Sequence, residues 1–377
     1  MAKILILSEA ALGEIDNPFS LTSQGLSEFL SEQGHELIYL TAVQATQMPA
    51  INGKFEYIAA FQHWGWRDLP ALMSLLFYHR PQILHIIQPH GVSLSRTLNI
   101  FDAATQSSPL WPRPRIITSI LDARLARENP RSLSLLVRAS HKIILASSAH
   151  HAALGQIFTL DAEKTHICPP LLPTQFWQSA GVEESRPKPP QPYLLIPGDL
   201  DEHHEAILLP VLKDILAKTV IDVVVAGGWG SMSWSRRKVW HRELLATALG
   251  RRLRLTGHCN LAQLANLAYA AHEVFLLTLV PDTLRASLMS EIGRQIRSSH
   301  AEFRPTASED ELFIDRMGPY SQENLEERIR HWLNGYLTDV TSIPAAPHTR
   351  PCHASDQIAN QLQRLYQSLI AHDAKNQ

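Results

Sequence analysis

Two carboxylates, Asp282 and Glu291, lie in the stretch AHEVFLLTLVPDTLRASLMSEIGRQI from Ala271 to Ile296. Carboxylates accept hydroxyl hydrogen bonds and move protons, so a pair of them at a strand end could do chemistry. The surrounding pattern makes that placement plausible in physical terms. An apolar run from Val274 to Leu279 has strand composition, meets a Pro281-Asp282-Thr283 turn, and gives way to an amphipathic helix. A buried strand whose polar turn opens a helix is where an α/β sheet binds its ligand. The same pattern also fits a strand-turn-helix unit with no site. Other chemistry-bearing groups lie upstream. Ser235-Arg236-Arg237-Lys238 could meet a phosphate, or could be the solvated first turn of a helix. The loop Gly227-Gly228-Trp229-Gly230 could stack a base or sugar on Trp229, or could be a tight turn. The run Asp199 to Glu205, with His203 and His204, reads mainly as an acidic helix start and only secondarily as a metal site. There is no nucleophile elbow, phosphate-binding Walker loop or zinc spacing.

Composition bounds what these groups can serve. The chain has 377 residues, 45% hydrophobic and 19% charged, with a formal net charge of −2. That length supports two domains, each with its own core. Near-neutral charge argues against nucleic acid as the main partner, because neutralising phosphates requires a basic face. Cys168, Cys259 and Cys352 are scattered, which fits a reducing cytoplasm and neither a disulfide framework nor a zinc site. The opening MAKILILSEA is too short and too soon interrupted for a signal peptide, and no apolar run reaches membrane-spanning length. The expectation is a cytoplasmic protein, with peripheral contact to the inner membrane face left open. Segments that could make such contact are His63-Trp64-Gly65-Trp66-Arg67 with LPALMSLLFYH, and the arginines Arg124, Arg127, Arg131 and Arg138. The first segment reads equally as core with a partly exposed tryptophan.

Periodicity supplies the elements that must position these groups. Strand (Lys3 to Leu7), helix (Gln24 to Gln33) and strand (His35 to Thr41) form a βαβ unit, with a polar loop from Ser8 to Leu21. Further strands are predicted near Phe55, Gln82, Arg115, Lys142 and Thr165, with helices between them, including Ser148 to Phe158. On that last helix His150 and His151 read as a surface pair. The proline-rich, charged segment GVEESRPKPPQP marks a linker at 181–192. A second series follows: strand Tyr193 to Pro197, helix His203 to Lys218, strand Ile221 to Ala226, helix Ser235 to Leu249, strand Leu253 to Thr256 and helix Leu261 to Ala271. Helices at Ser321 to Leu337 and Asp356 to Ala371 end the chain. The predicted fold is α/β, with two doubly wound Rossmann-like domains facing across a cleft. Its parts are an N-terminal domain (1–180), the linker, a C-terminal domain (193–352) and a terminal helical segment (353–377).

Several stretches carry a resemblance. LSEQGHELIYLT near the start, and RASHKIILASSAHHAALGQIFTLDAEKTHICPPLLPTQFW at the end of the first domain, resemble the GT-B glycosyltransferases. So do VIDVVVAGGWG and LRLTGHCNLAQLANLAYAAHEVFLLTL in the second, and DQIANQLQRLYQSLI sits where the family has a helix crossing back to the first domain. Among these enzymes the chain is most similar to glycosyltransferase family 4, and the matches keep their order over most of its length. The resemblance implies transfer of a sugar from a nucleotide-activated donor to a glycan, lipid or protein acceptor, in the cleft, with neither metal nor cofactor. Donor contacts would come from Gly198, Gly228, Trp229, Arg237, Gly257, His258 and Asp282. The acceptor side would involve Ser20 and His90, and Asp122 and Glu291 would act in catalysis.

The chain also departs from the family pattern. The family's diphosphate-binding Arg and Lys are replaced by the stretch Gly198-Asp199-Leu200-Asp201, and its catalytic-region histidine falls on Leu121. Glu291 stands one residue later than the family's second glutamate, a turn of about 100° on a helix. The glycine pair after the first strand is absent, and RQIRSSHAEFRPTASEDELF replaces the family's phosphate-receiving segment. These departures imply an alternative, a degenerate member serving as partner or scaffold for another glycosyltransferase.

Overall fold

Strand β1 (Lys3–Leu7), β2 (Glu36–Thr41) and β4 (Ile83–Ile87) are almost wholly buried, because a parallel sheet is covered by helices on both faces. The computed structural model describes residues 1–14, 17–42, 51–61, 66–87, 113–123, 128, 130–174, 176, 193–198, 202–218, 220–227, 229, 233–271, 273–274, 284–285, 287–289, 291–292 and 356–374. By contacts the chain forms two units. The first comprises Met1–Phe176, Pro281–Leu288 and His353–Gln377; the second comprises Trp177–Val280 and Met289–Cys352. The linker 181–192, the expected helix at 321–337, His90, Gly228, Asp282, Asp199, Arg124 and Arg127 lie outside the described residues.

The first unit also contains β3 (Phe55–Ala59), β5 (Arg115–Ile120), β6 (Lys142–Leu145) and β7 (Thr165–Ile167). Its helices are α1 (Pro18–Glu32), α2 (Leu69–His79), α3 (Pro130–Ala139) and α4 (Ser148–Gly155). The seven strands run parallel in the order β3-β2-β1-β4-β5-β6-β7, so the winding reverses between β1 and β4. Ile4 pairs with Leu37 on one side and Ile83 on the other, which fixes the register at that switch point. Leu5, Leu7, Leu84, Ile86, Ile116 and Leu145 join one apolar core, each contributing about 1.5–3 kcal/mol by leaving water.

Helix α1 begins six residues before the periodicity predicts. Asn17 accepts hydrogen bonds from the amides of Phe19 and Ser20, and Pro18 takes the first turn, where no amide hydrogen is needed. Ser20, Thr22 and Ser23 in the first two turns are polar, so they hide the helix from an apolar pattern.

The second unit holds β8 (Tyr193–Pro197), α5 (Glu202–Lys218), β9 (Asp222–Ala226), α6 (Trp234–Trp240), β10 (Leu253–Leu255), α7 (Leu261–Ala270) and β11 (Glu273–Val274). Its four strands are parallel in the order β10-β9-β8-β11, the pattern of the first four positions in the other sheet. The single helix expected from Ser235 to Leu249 is instead α6, a π-helical turn (His241–Leu245) and a 3-10 turn (Ala248–Arg252). The Ala246 amide donates to the His241 carbonyl at 2.7 Å, five residues back, which widens the helix there. Leu194, Ile196, Leu212, Ile215, Val223, Val225 and Trp240 form a separate core.

The last helix, α8 (Asp356–Ala374), belongs to the first unit. Ile358, Leu362, Leu365, Tyr366 and Leu369 are buried along one stripe, and Gln361 donates to the Ile167 carbonyl at 2.8 Å.

Candidate functional site

In the first unit the candidate groups stand at the carboxyl ends of β1 and β5. The loop after β1 is held from several sides. Ser8 Oγ lies 3.3 Å from Ser23 Oγ and accepts the Ala10 amide at 3.2 Å, while Tyr39 donates its hydroxyl to the Ala10 carbonyl at 2.8 Å. Burial pushes the Tyr39 phenol above its ordinary range, so it stays a hydroxyl donor. Ser20 is fully buried, and its Oγ accepts the Glu14 amide at 3.0 Å. Ser20 stands in the first turn of α1, and this expected acceptor-side hydroxyl is buried where it pins the preceding loop.

Strand β5 carries polar side chains that reach opposite faces. Thr118 Oγ1 lies 2.7 Å from Ser140 Oγ, just past α3. Ser119 Oγ lies 2.7 Å from Nε2 of His85, whose Nδ1 meets the Tyr366 hydroxyl of α8. Burial pushes the His85 imidazole down to about 3, so the ring is neutral. Two residues beyond the strand is Asp122, with 6% of its surface exposed.

His150 is fully buried, which corrects its reading as half of a surface pair. It lies on α4 one turn after the cap residue Ser147, with Nδ1 2.8 Å from Ser147 Oγ and Nε2 2.8 Å from the Leu121 carbonyl oxygen. Its neighbour His151 is exposed. Helical spacing could have signalled its burial, though not its partners, since His150, Ala153 and Leu154 share one buried face of this helix.

In the second unit, three neighbouring strands end in glycine. Gly198 follows β8, Gly227 follows β9, and Gly257 follows Thr256 one residue past β10. Gly198 has φ +121° and Gly257 φ +75°, conformations that L side chains rarely adopt. The Gly198 amide donates to the Ala226 carbonyl at 3.0 Å, and that of Thr256 to Val225 at 3.1 Å, which ties the three turns together. Bare backbone at the carboxyl edge of a parallel sheet lets a ligand approach closely. His258 is exposed beside Gly257, and Cys259 is buried with its Sγ 3.1 Å from Thr256 Oγ1. Asn260 and Gln263 close the start of α7 with a reciprocal capping box.

Trp229 is half-buried, its ring edge-on to Trp240 at 6.1 Å between centroids. Arg237 is half-buried on α6, whereas Trp234 is exposed with the Lys238 ammonium 5.5 Å from its ring centre. Glu291 is buried at 2% exposure. In the second unit the structure therefore brings Gly198 and Gly257 to one sheet edge. Among the described residues, no group of three His, Cys, Asp or Glu side chains could hold a metal ion, and no helix is long and apolar enough to cross a membrane.

No family model and no curated protein matches the chain. Solved structures do. Sucrose-phosphate synthase from Thermosynechococcus elongatus superimposes with a TM-score of 0.56 at 15% identity, covering 99% of this chain and 100% of that one. The fold is GT-B. Anabaena HepE, solved in complex with UDP, gives 0.54 at 11% identity over 97% of this chain and 100% of its own. A UDP-N-acetylglucosamine 2-epimerase gives 0.51 at 11% identity over 98% and 96%. A sucrose-phosphate synthase and a UDP-N-acetylglucosamine 2-epimerase thus share one architecture, so chemistry has to be argued from side chains.

Proposed function

We propose that the chain transfers a sugar from a nucleotide-activated donor to a glycan, lipid-linked or protein acceptor, without a metal ion or cofactor. The closer kinship we infer is with glycosyltransferase family 4. The observation that carries the reading is the glycine-ended carboxyl edge of the second sheet, in a chain of GT-B fold. There Gly198, Gly257 and the loop with Gly228 and Trp229 would admit the nucleotide, and His258 and Asp282 would meet its sugars. Arg237 would offset diphosphate charge. A cation 5 Å from a phosphate contributes about 3 kcal/mol at an effective dielectric near 20, enough to balance an acidic Asp199 at similar range. Asp122 and Glu291 would hydrogen-bond the reacting sugar or take the acceptor's proton, and His90 would lie on the acceptor side. The fold neighbours that bind UDP support a uridine nucleotide as the first donor to try.

A thermal-shift panel of UDP, GDP, ADP and their sugars tests this. A ligand at ten times its Kd stabilises by about 1.4 kcal/mol, and Arg237→Ala is expected to abolish most of the shift. Asp199 and Leu121, which replace the family's cation and histidine, favour a second reading as a partner subunit of another glycosyltransferase. Millimolar nucleotides that leave the melting temperature unchanged would sink the enzyme reading and leave the second.

A further inference from the structure

We propose that His150 is a positioning residue for Asp122, a role that rests on the catalytic reading of Asp122. The ladder of β5 ends at Ile120, which pairs with Leu145 of β6. Leu121 is the first residue past it, and its side chain is buried. A buried carbonyl beyond a ladder needs another donor. His150 Nε2 supplies it at 2.8 Å.

A carbonyl oxygen only accepts, so Nε2 carries the proton and Nδ1 is left to accept from Ser147 Oγ–H at 2.8 Å. Ser147 Oγ in turn accepts the His150 amide at 3.4 Å, so the residue that caps α4 also orients the ring. The Leu121 carbonyl and the Asp122 amide belong to one planar peptide. Fixing that carbonyl fixes the plane from which the Asp122 side chain departs. The same strand is already tied to Ser140 through Thr118 and to His85 through Ser119. His150 adds the brace beyond the strand end, where the carboxylate begins.

The first test uses the full chain without ligand. Long-range 15N correlation spectra of the histidines are expected to show His150 as a pure Nε2–H tautomer. The Asp122 amide resonance should move in His150→Leu and return toward wild type in His150→Gln, whose amide nitrogen reaches the same place. An Nδ1–H or averaged tautomer in the wild type, or an Asp122 amide indifferent to both substitutions, overturns the proposal. The wild-type measurement decides even where His150→Leu does not fold.

The second test reads nucleotide release from the donor that the thermal-shift panel identifies. His150→Leu should lower kcat about 10- to 100-fold at unchanged KM, with His150→Gln restoring most of it. Asp122→Asn combined with His150→Leu should be no slower than Asp122→Asn alone. Full turnover in His150→Leu beside a dead Asp122→Asn overturns positioning. Full turnover in Asp122→Asn instead overturns the catalytic reading of Asp122, while the spectra still decide whether His150 holds the peptide.

Discussion

His85 carries a pH dependence whose sign follows from its burial. Its imidazole titrates near 3 in the folded chain against 6.5 for an ordinary histidine, so the unfolded chain binds the extra proton first. Stability from this site is complete above pH 6.5 and is lost as pH falls toward 3, by about 1.4 kcal/mol per unit at the steepest. Denaturant melts between pH 4.5 and 7 should show a shallower slope in His85→Gln than in wild type; parallel slopes would count against a neutral buried ring. For Asp122, replacement by Asn is expected to lower turnover by two orders of magnitude or more, read as nucleotide release from the donor the thermal-shift panel identifies. Sequence pattern alone picked out Asp282 and Glu291, and family resemblance added Asp122. It could not show that His150 matters, because an imidazole's role depends on what faces it across the fold. Here that is the carbonyl of Leu121, 29 residues away. The polar surroundings of Ser20 read as a loop, whereas the residue is in fact buried within a helix.

At the scale of elements, α1 approaches the 171 segment so closely that only glycine fits at position 25. A Cβ there would meet the Leu171 carbonyl oxygen well inside contact distance. Gly25→Ala is expected to cost about 1–3 kcal/mol despite alanine's better helix propensity, measured as a drop in denaturant midpoint. Tyr366→Phe leaves His85 Nδ1 buried without its partner and should cost about 1–3 kcal/mol. Limited proteolysis would show whether that loss loosens α8 first. Strands such as Arg115–Ile120 and Tyr193–Pro197 were legible to the residue, because a run buried on both faces admits few alternatives. The stretch around α6 was not. Trp234, Trp240 and Leu244 suit an ordinary helix, and nothing local announces the π turn that shifts everything after His241 around the axis.

Across the whole molecule, each unit has its own core, and chain order does not respect the division. Leu212→Ala on α5 should remove about 2–5 kcal/mol from the second unit. Hydrogen exchange should then quicken at β8 and β9 while β1 and β4 keep their protection; acceleration in both would argue that the cores unfold together. The first unit raises a different issue, because its parts are made at different times. His85 and Tyr366 are separated by 281 positions. A ribosome adding roughly 5–20 residues per second leaves about 15–55 s between them. Throughout that interval Nδ1 of His85 on β4 lacks the Tyr366 hydroxyl, while Nε2 can already meet Ser119, and the apolar surface that α8 will cover is left without it. The nascent first unit is therefore expected to expose apolar surface until α8 emerges. Soluble yield should respond to translation speed through the second half of the message, even where no codon for the first half is changed.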